Sequence, residues 1–135
     1  MKEVTAMPDL FSSFVVLDPQ QSATVLPVTE TFWQDLDRRF GTFAGHSLVS
    51  AFSFSTDWPT WERHPKGDEI VCLLSGGADF LLRDKDGERR VSLLQPGSFV
   101  VVPKDTWHTA KIAEHATMLF VTPGEGTENR ERPGD

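Results

Sequence analysis

From Gly45 to Thr122 the chain is a succession of short apolar or alternating segments separated by turn residues. Gly76-Gly77 ends one segment, and residues 84–87 form a tight turn between two others, with a glycine at the end where positive φ is wanted. About seven short strands broken by such turns are typical of a sandwich or a small barrel. The sequence therefore predicts an all-β fold.

One segment ahead of these strands has helical periodicity. Residues 29–40 place Phe32, Leu36 and Phe40 at four-residue spacing, and Gly41 follows as a stop signal. Two arginines in the last turn suit the negative end of the helix dipole. We expect one short N-terminal helix whose apolar stripe docks on the outside of the barrel.

The length of 135 residues predicts a single domain with a core large enough to need no covalent staples. Within it, residues 1–28 are expected to form an N-terminal arm with one edge strand, and residues 29–122 the barrel with its preceding helix. Residues 123–135 combine glycine, proline and charge with no apolar side chain, which predicts a flexible tail.

Charge and composition exclude several classes of partner. The net charge of −7 repels phosphate backbones and anionic lipid, so we expect neither nucleic acid nor a membrane surface as a partner. No apolar run approaches the roughly 20 residues that a membrane span needs, and the N-terminal stretch MKEVTAMPDLF lacks the apolar core of a secretory signal. A single cysteine, Cys72, excludes an internal disulfide and a multi-cysteine zinc site. These features favour a cytoplasmic protein.

Two stretches carry the candidate chemistry. Glu62 and His64 are two residues apart, so they face the same side of an extended strand. Residues 65–68 form a turn, after which Glu69 opens the next strand and can point back across to its neighbour. His108 follows a valine-rich strand and another turn. Carboxylate and imidazole groups are suited to first-row divalent metals, so these residues read as two halves of one metal site.

The spacing of these residues resembles the two motifs of the cupin superfamily. The usual first motif, G-x5-H-x-H-x3,4-E-x6-G, corresponds to residues 56–76, with Glu62 in the place of the first histidine. The usual second motif, G-x5-P-x-G-x2-H-x3-N, corresponds to residues 97–112, with Asp105 in the place of a glycine and Ile112 in the place of the asparagine. Every interval is kept, and Asp tolerates the turn conformations that Gly would take.

The resemblance implies a single-domain double-stranded β-helix, or jelly-roll barrel. It also implies one divalent metal, iron, manganese, zinc or nickel, held by Glu62, His64, Glu69 and His108. The expected chemistry is of dioxygenase, isomerase or lyase type on a small organic molecule. The alternative is a non-catalytic cupin that binds or senses a small molecule, with or without metal.

Glu62 is the main departure from the superfamily pattern. It is either a metal ligand or a free base beside a metal with three ligands, and the plainest alternative is a surface acid paired with Arg63 or Lys66. For the two histidines the corresponding alternative is a structural, hydrogen-bonded role. Ile112 suggests an apolar wall on the inner face of the barrel.

Small barrels of this superfamily commonly pair, which leads us to expect a homodimer. If Glu69 faces inward, alternate residues of the same strand face outward and leave an apolar patch that a monomer should avoid exposing. Those outward residues are Ile70, Cys72 and Leu74.

Overall fold

The computed structural model describes residues 7–134, which contain eleven strands and one α-helix. In chain order the elements are β1 (Ser13–Leu17), β2 (Ala23–Pro27), α1 (Phe32–Phe40), β3 (Ser47–Phe54), β4 (Trp61–Arg63), β5 (Glu69–Gly76), β6 (Ala78–Asp84), β7 (Gly87–Leu93), β8 (Phe99–Val102), β9 (Trp107–Lys111), β10 (Ala116–Thr122) and β11 (Glu128–Arg130). The described helix is too short and too polar to cross a membrane.

The strands form two antiparallel sheets that enclose the core. One sheet has six strands in the order β2-β1-β3-β10-β5-β8, and the other has five in the order β11-β4-β9-β6-β7. Neighbours along the chain are often not neighbours in a sheet, because the chain crosses repeatedly between the two layers. This architecture confirms the predicted all-β jelly-roll barrel with one short helix.

Strand alternation sets the barrel core. On β5, Val71 and Leu73 are fully buried while Ile70 and Leu74 are exposed, as expected for a strand with one face inward. The inward residues of six strands and the loop residue Ile112 make one cluster, whose members are Val71, Leu73, Ala78, Phe80, Leu82, Leu93, Val100, Val102, Ala110, Ile112, Ala116, Met118 and Phe120. The apolar wall expected at Ile112 is therefore present.

The helix packs differently from the prediction. It begins at Phe32, and its apolar side chains Phe32 and Leu36 pack on Phe14 and Leu48 in a second cluster. Leu48 lies directly opposite Thr122 in the β3–β10 pair, so it faces the same way as the inward residues of β10. The helix therefore extends the packing on the inner face of the six-stranded sheet, instead of covering an outer surface of the barrel.

The structure corrects the prediction of a flexible tail. Residues 128–130 form β11 and pair with β4, opposite residues 61–63. Glu128 Oε1 accepts a hydrogen bond from Arg63 Nη2 at 2.8 Å, and the Arg130 guanidinium lies 5.2 Å from the Trp107 ring centre. Without β11, β4 would present an open edge of unpaired N–H and C=O groups. Backbone hydrogen bonds from β11 pair the groups along that edge of β4. The amino-acid composition of the segment does not indicate this pairing.

Two turn positions have the conformations that the motif spacing requires. Asp105 adopts φ 67°, a left-handed conformation that glycine usually provides and aspartate tolerates. Gly76 has φ 81°, and a Cβ atom at this position would collide with the carbonyl oxygen of His115. Only glycine fits there without moving the neighbouring backbone.

Candidate metal centre

The fold brings the four predicted site residues together at one end of the barrel. Glu62 on β4 lies directly opposite His108 on β9, His64 follows the end of β4, and Glu69 opens β5. One potential ligand atom from each side chain lies within 4.8 Å of the others. His64, Glu69 and His108 are buried, and Glu62 is half-buried.

The distances within this cluster suit ligands of a shared ion. His64 Nε2 is 3.3 Å from Glu69 Oε2, and His108 Nε2 is 3.2 Å from Glu69 Oε1. An ion with ligands at about 2.1 Å separates neighbouring ligand atoms by about 3.0 to 3.4 Å. Glu62 Oε2 is 3.8 Å from each histidine Nε2, so its carboxylate sits slightly farther out than that of Glu69.

Hydrogen bonds on the far side of each imidazole fix the position of its proton. His108 Nδ1 lies 3.1 Å from the carbonyl oxygen of Thr106, which can only accept. His64 Nδ1 lies 2.8 Å from Thr127 Oγ1, and the Thr127 hydroxyl itself donates to the Gly124 carbonyl at 2.9 Å. Both Nδ1 atoms therefore donate, and in the neutral rings both Nε2 atoms carry the free lone pair.

The polar atoms left without partners point to a cation. Among the described residues, His64 Nε2, His108 Nε2 and Glu69 Oε1 are buried and have no hydrogen-bond partner. The other carboxylate oxygen, Glu69 Oε2, accepts a hydrogen bond from the Thr122 hydroxyl at 2.6 Å. Buried polar atoms without partners are costly, and here the unpartnered atoms are the ones that face one another. A divalent metal ion fits this donor set, since it would satisfy all three at once.

The pKa values reflect the same mutual contacts. Burial opposes ionisation of Glu69, but the imidazoles of His108 and His64, which lie 3.2 and 3.3 Å from its oxygens, outweigh burial and lower the pKa to about 2. Burial alone would lower the pKa of His108, but the adjacent Glu69 carboxylate raises that pKa overall. The pKa of Glu62 is raised, first by burial and then by the nearby charge of Glu69.

Glu62 is held less firmly than the other three side chains. Its carboxylate is 31% exposed and makes no hydrogen bond to the described part of the chain. Arg63 forms ion pairs with Glu128 and Asp105, and among the described residues Glu62 forms no ion pair with either Arg63 or Lys66, the two partners of the plainest alternative. A half-exposed carboxylate with a raised pKa is suited either to coordinate an ion or to move a proton.

Backbone contacts connect the turns of the two motifs. Asp68 Oδ1 accepts a hydrogen bond from the Lys104 N–H at 2.7 Å, and the Asp105 N–H donates to the His64 carbonyl at 2.9 Å. The turn before Glu69 and the turn before His108 are thereby fixed to each other. This connection aligns ligands that are far apart in the sequence.

A cavity of about 930 Å³ opens beside the cluster. Glu62, His64 and Glu69 form one part of its wall, and Phe54 and Trp58 form an aromatic part. Residues of α1 complete the wall on the opposite side, among them Trp33, Leu36 and Asp37. The arrangement gives a small molecule access to the cluster from one side.

Sequence reasoning missed two residues that support the site, Thr122 and Thr127. Thr122 ends the inward row of β10 that includes Met118 and Phe120, so strand alternation could have found it. Thr127 lies in the segment predicted to be a flexible tail, and no sequence signal indicated its contact with His64.

Comparison with known proteins finds relatives of low sequence identity. No protein-family model matches the sequence. The chain is 25% identical over 133 residues to the acireductone dioxygenase of Bacillus subtilis, covering 89% of this chain and 72% of that protein. A cupin superfamily protein from Desulfitobacterium hafniense shares 25% identity, with a TM-score of 0.47 and coverage of 56% of this chain and 65% of the other.

Peruvianin-I from Thevetia peruviana latex shares only 13% identity, but it has a TM-score of 0.51 and covers 61% of this chain and 54% of its own. At such low identity the likeness concerns the fold alone. The two-sheet barrel agrees in turn with the motif intervals that the sequence keeps from residue 56 to residue 112, so the fold and the motif spacing both resemble those of the cupin superfamily.

Proposed function

We propose that this chain binds one divalent transition metal through Glu62, His64, Glu69 and His108, and that it catalyses dioxygenase-type chemistry on a small organic molecule. The observation that carries the proposal is the set of three buried, unpartnered ligand atoms that face one another at the end of the barrel. Similarity to proteins named acireductone dioxygenase supports the reaction class. Isomerase or lyase chemistry at the same centre is the nearest variant.

The donor set favours a hard or borderline ion. Two carboxylates and two imidazoles suit iron or manganese, and also nickel or zinc. When bound, the ion supplies a Lewis acid that polarises a carbonyl or hydroxyl oxygen of the substrate and, if it is redox-active, the electron transfer that dioxygen chemistry requires.

The chain's own groups would orient the substrate and move a proton. The Glu62 carboxylate faces the cavity and has a raised pKa, so it can take a proton from a substrate hydroxyl or carbon and return it. Trp58 and Phe54 line the cavity next to the cluster and would exclude water from the reacting face.

Metal binding is the first test, and Glu62→Gln distinguishes the two roles of this residue. If Glu62 is a ligand, Glu62→Gln should weaken metal affinity by about tenfold or more, since it removes the charge and keeps the shape. Glu62→His should restore the affinity. Metal affinity would be measured by competition with a chromogenic chelator. A Glu62→Gln variant that binds metal as tightly as the parent and loses activity would make Glu62 the base.

The non-catalytic alternative is supported by the size of the cavity, which is large enough to hold a small molecule without any reaction. Oxygen uptake by the iron-loaded protein distinguishes the two. Acireductone, the compound in the relatives' name, and neutral phenols would be supplied as substrates. Uptake that disappears in His108→Ala supports the enzyme, and ligand binding without uptake supports a binding or sensing cupin.

A homodimer is part of the same proposal. Ile70 and Val101 lie opposite each other in the β5–β8 pair, as do Cys72 and Phe99, and Phe99 is 63% exposed. With Leu74 they form an apolar patch on the outer face, which a second copy could bury. Light scattering at micromolar concentration should give the mass of two chains, and Phe99→Glu should give the mass of one. Cytoplasmic localisation stays a prediction.

A further inference from the structure

We infer that the cavity beside the metal cluster accepts a neutral small molecule with an aromatic or other flat apolar group, and that it discriminates against carboxylates and phosphates. The inference rests on the proposed function, because it names the class of molecule that the same site would take. Three features of the cavity carry it: its aromatic wall, the charge of its lining and the net charge of the cluster.

The aromatic wall offers stacking surfaces directly next to the cluster. The Trp58 ring centre lies 5.4 Å from that of Phe54 and 6.0 Å from that of Phe120, and 6.3 Å from the His108 ring. All three aromatic rings line the cavity. A flat ring that enters from the open side would therefore contact aromatic faces while one substituent reaches the cluster.

The lining carries negative charge only. Among the described residues that line the cavity, the charged ones are Asp37, Asp57, Glu62 and Glu69, with no lysine or arginine. Asp57 is paired with Lys111 at 3.7 Å, and among the described residues the other three acids have no lysine or arginine partner. Recognition of a carboxylate or phosphate normally uses arginine or lysine, and this cavity offers neither.

The metal would not reverse this preference. Both imidazoles donate from Nδ1, so the rings that offer Nε2 to an ion are neutral. One divalent ion with two neutral imidazoles and the carboxylates of Glu62 and Glu69 has a net charge of zero. A histidine in place of Glu62, as in the usual motif, would leave a charge of +1. Glu62 therefore removes the attraction that would otherwise favour an anionic ligand.

The test uses two ligands of the same size, neutral benzamide and anionic benzoate. Each would be titrated into the zinc-loaded and the chelator-treated protein, with dissociation constants from calorimetry or ligand-observed NMR. Benzamide should bind at least about tenfold tighter than benzoate in both states, because a carboxylate loses hydration in this cavity and gains no cationic partner. Equal or tighter binding of benzoate would overturn the inference, and so would no benzamide binding at millimolar concentration.

Different variants test the contribution of the aromatic wall and the contribution of the cluster charge. Trp58→Leu and Phe54→Leu should each weaken benzamide binding by about fivefold or more, while the metal content stays that of the parent. Unchanged benzamide affinity in both variants would overturn the aromatic part of the inference. In the zinc-loaded protein, Glu62→His should lower the ratio of the benzoate to the benzamide dissociation constant by about fivefold or more. An unchanged ratio would overturn the charge argument.

The results that would contradict the proposed function differ from those that would contradict this inference. Metal content is measured separately from ligand affinity, by elemental analysis of the same protein. If the protein holds no metal but still prefers benzamide, the metal proposal fails and the inference about ligand class stands. If it holds one metal per chain and prefers benzoate, the inference fails and the metal proposal stands.

Discussion

The two ends of the barrel interior are built on the same strands but carry opposite chemistry. On β5, Glu69 is followed along the inward row by Val71 and Leu73, and on β9 His108 is followed by Ala110. We call the end with the four candidate ligands the metal end, and the end around Leu73 and Met118 the apolar end. Both ends are deeply buried, although only one of them buries charge.

The difference shows that strand alternation decides only which side chains face inward. Whether a polar side chain can stay buried there depends on its neighbours. At the metal end, Thr122 and Thr127 and the carbonyl of Thr106 satisfy the outer atoms of the ligands. At the apolar end, Leu73 and Met118 face other apolar side chains and no such partners are needed.

The largest effect is expected when a candidate ligand at the metal end is removed. His108→Ala should lower metal affinity by about a thousandfold or more, because it removes a fully buried donor that no neighbour can replace. Metal should then no longer raise the melting temperature. Chelator competition and thermal melts with and without metal would measure both. His115→Ala, on the surface and outside the cluster, is the control, and unchanged metal content in His108→Ala would reject the site.

The next effect concerns the apolar end. Leu73→Ala should lower the free energy of unfolding by about 2 to 5 kcal/mol, since it leaves a cavity in a closely packed core. Metal affinity should change little, because Leu73 belongs to the apolar cluster and lies four residues along β5 from Glu69. Urea denaturation of the metal-free protein would measure the loss. Leu74→Ala on the outer face is the matched control and should cost less than about 1 kcal/mol. Equal losses in the two variants would contradict the assignment of faces.

A smaller effect is expected when a hydrogen bond that positions a candidate ligand at the metal end is removed. Thr127→Val removes the hydroxyl that accepts from His64 Nδ1, and it should lower metal affinity by about 10- to 100-fold. Thr127→Ser keeps the hydroxyl and should retain the affinity of the parent. Nitrogen-15 NMR of the His64 ring should show the Nδ1-protonated form in the parent and in Thr127→Ser, and a mixture in Thr127→Val. If the valine and serine variants bind metal equally, Thr127 does not position His64.

The smallest effect lies away from both ends, on the outer surface of the β6–β7 pair. Hydrogen bonds from Ser92 and Arg90 lower the pKa of Asp79. A carboxyl whose pKa is lowered on folding contributes stability above its unfolded pKa, and the contribution is lost as pH falls below about 3.8 toward the lower folded pKa. Asp79→Asn should therefore remove a small part of the acid sensitivity. Melting temperatures between pH 2.5 and pH 6 would measure it, and parallel curves for parent and variant would contradict the prediction.

Much of the fold and of the candidate site could be predicted, because both depend on local rules. The alternation on β5 placed Glu69, Val71 and Leu73 on the inner face, as the structure has them. The kept interval to the second motif brought His108 into the same cluster. The turn chemistry of Asp105 was predicted as well, since aspartate tolerates the positive φ found there.

The predictions that failed depend on contacts between distant segments. Nothing in the composition of residues 123–135 indicates a strand, since β11 is held by backbone pairing with β4 and by the Arg63–Glu128 ion pair. The amphipathic stripe of α1 predicted correctly that the helix docks, but the expectation that it docks on the outside of the barrel was wrong. The helix docks on the inner face of β1 and β3, which would be exposed without it, and there Phe32 packs on Phe14 and Leu48.

The sequence by itself determined the strand-rich fold, the inward rows and the set of residues able to bind a metal, because periodicity, turn residues and motif intervals are local properties of the chain. Only the tertiary structure decided that Thr127 holds His64, that Asp68 connects the two motif turns, and that the cavity has an aromatic wall and no described lysine or arginine. These features depend on which segments meet in space. Their energies come from desolvation and hydrogen bonding between residues that are far apart in the sequence, such as Asp68 with Lys104 at a separation of 36 and His64 with Thr127 at a separation of 63.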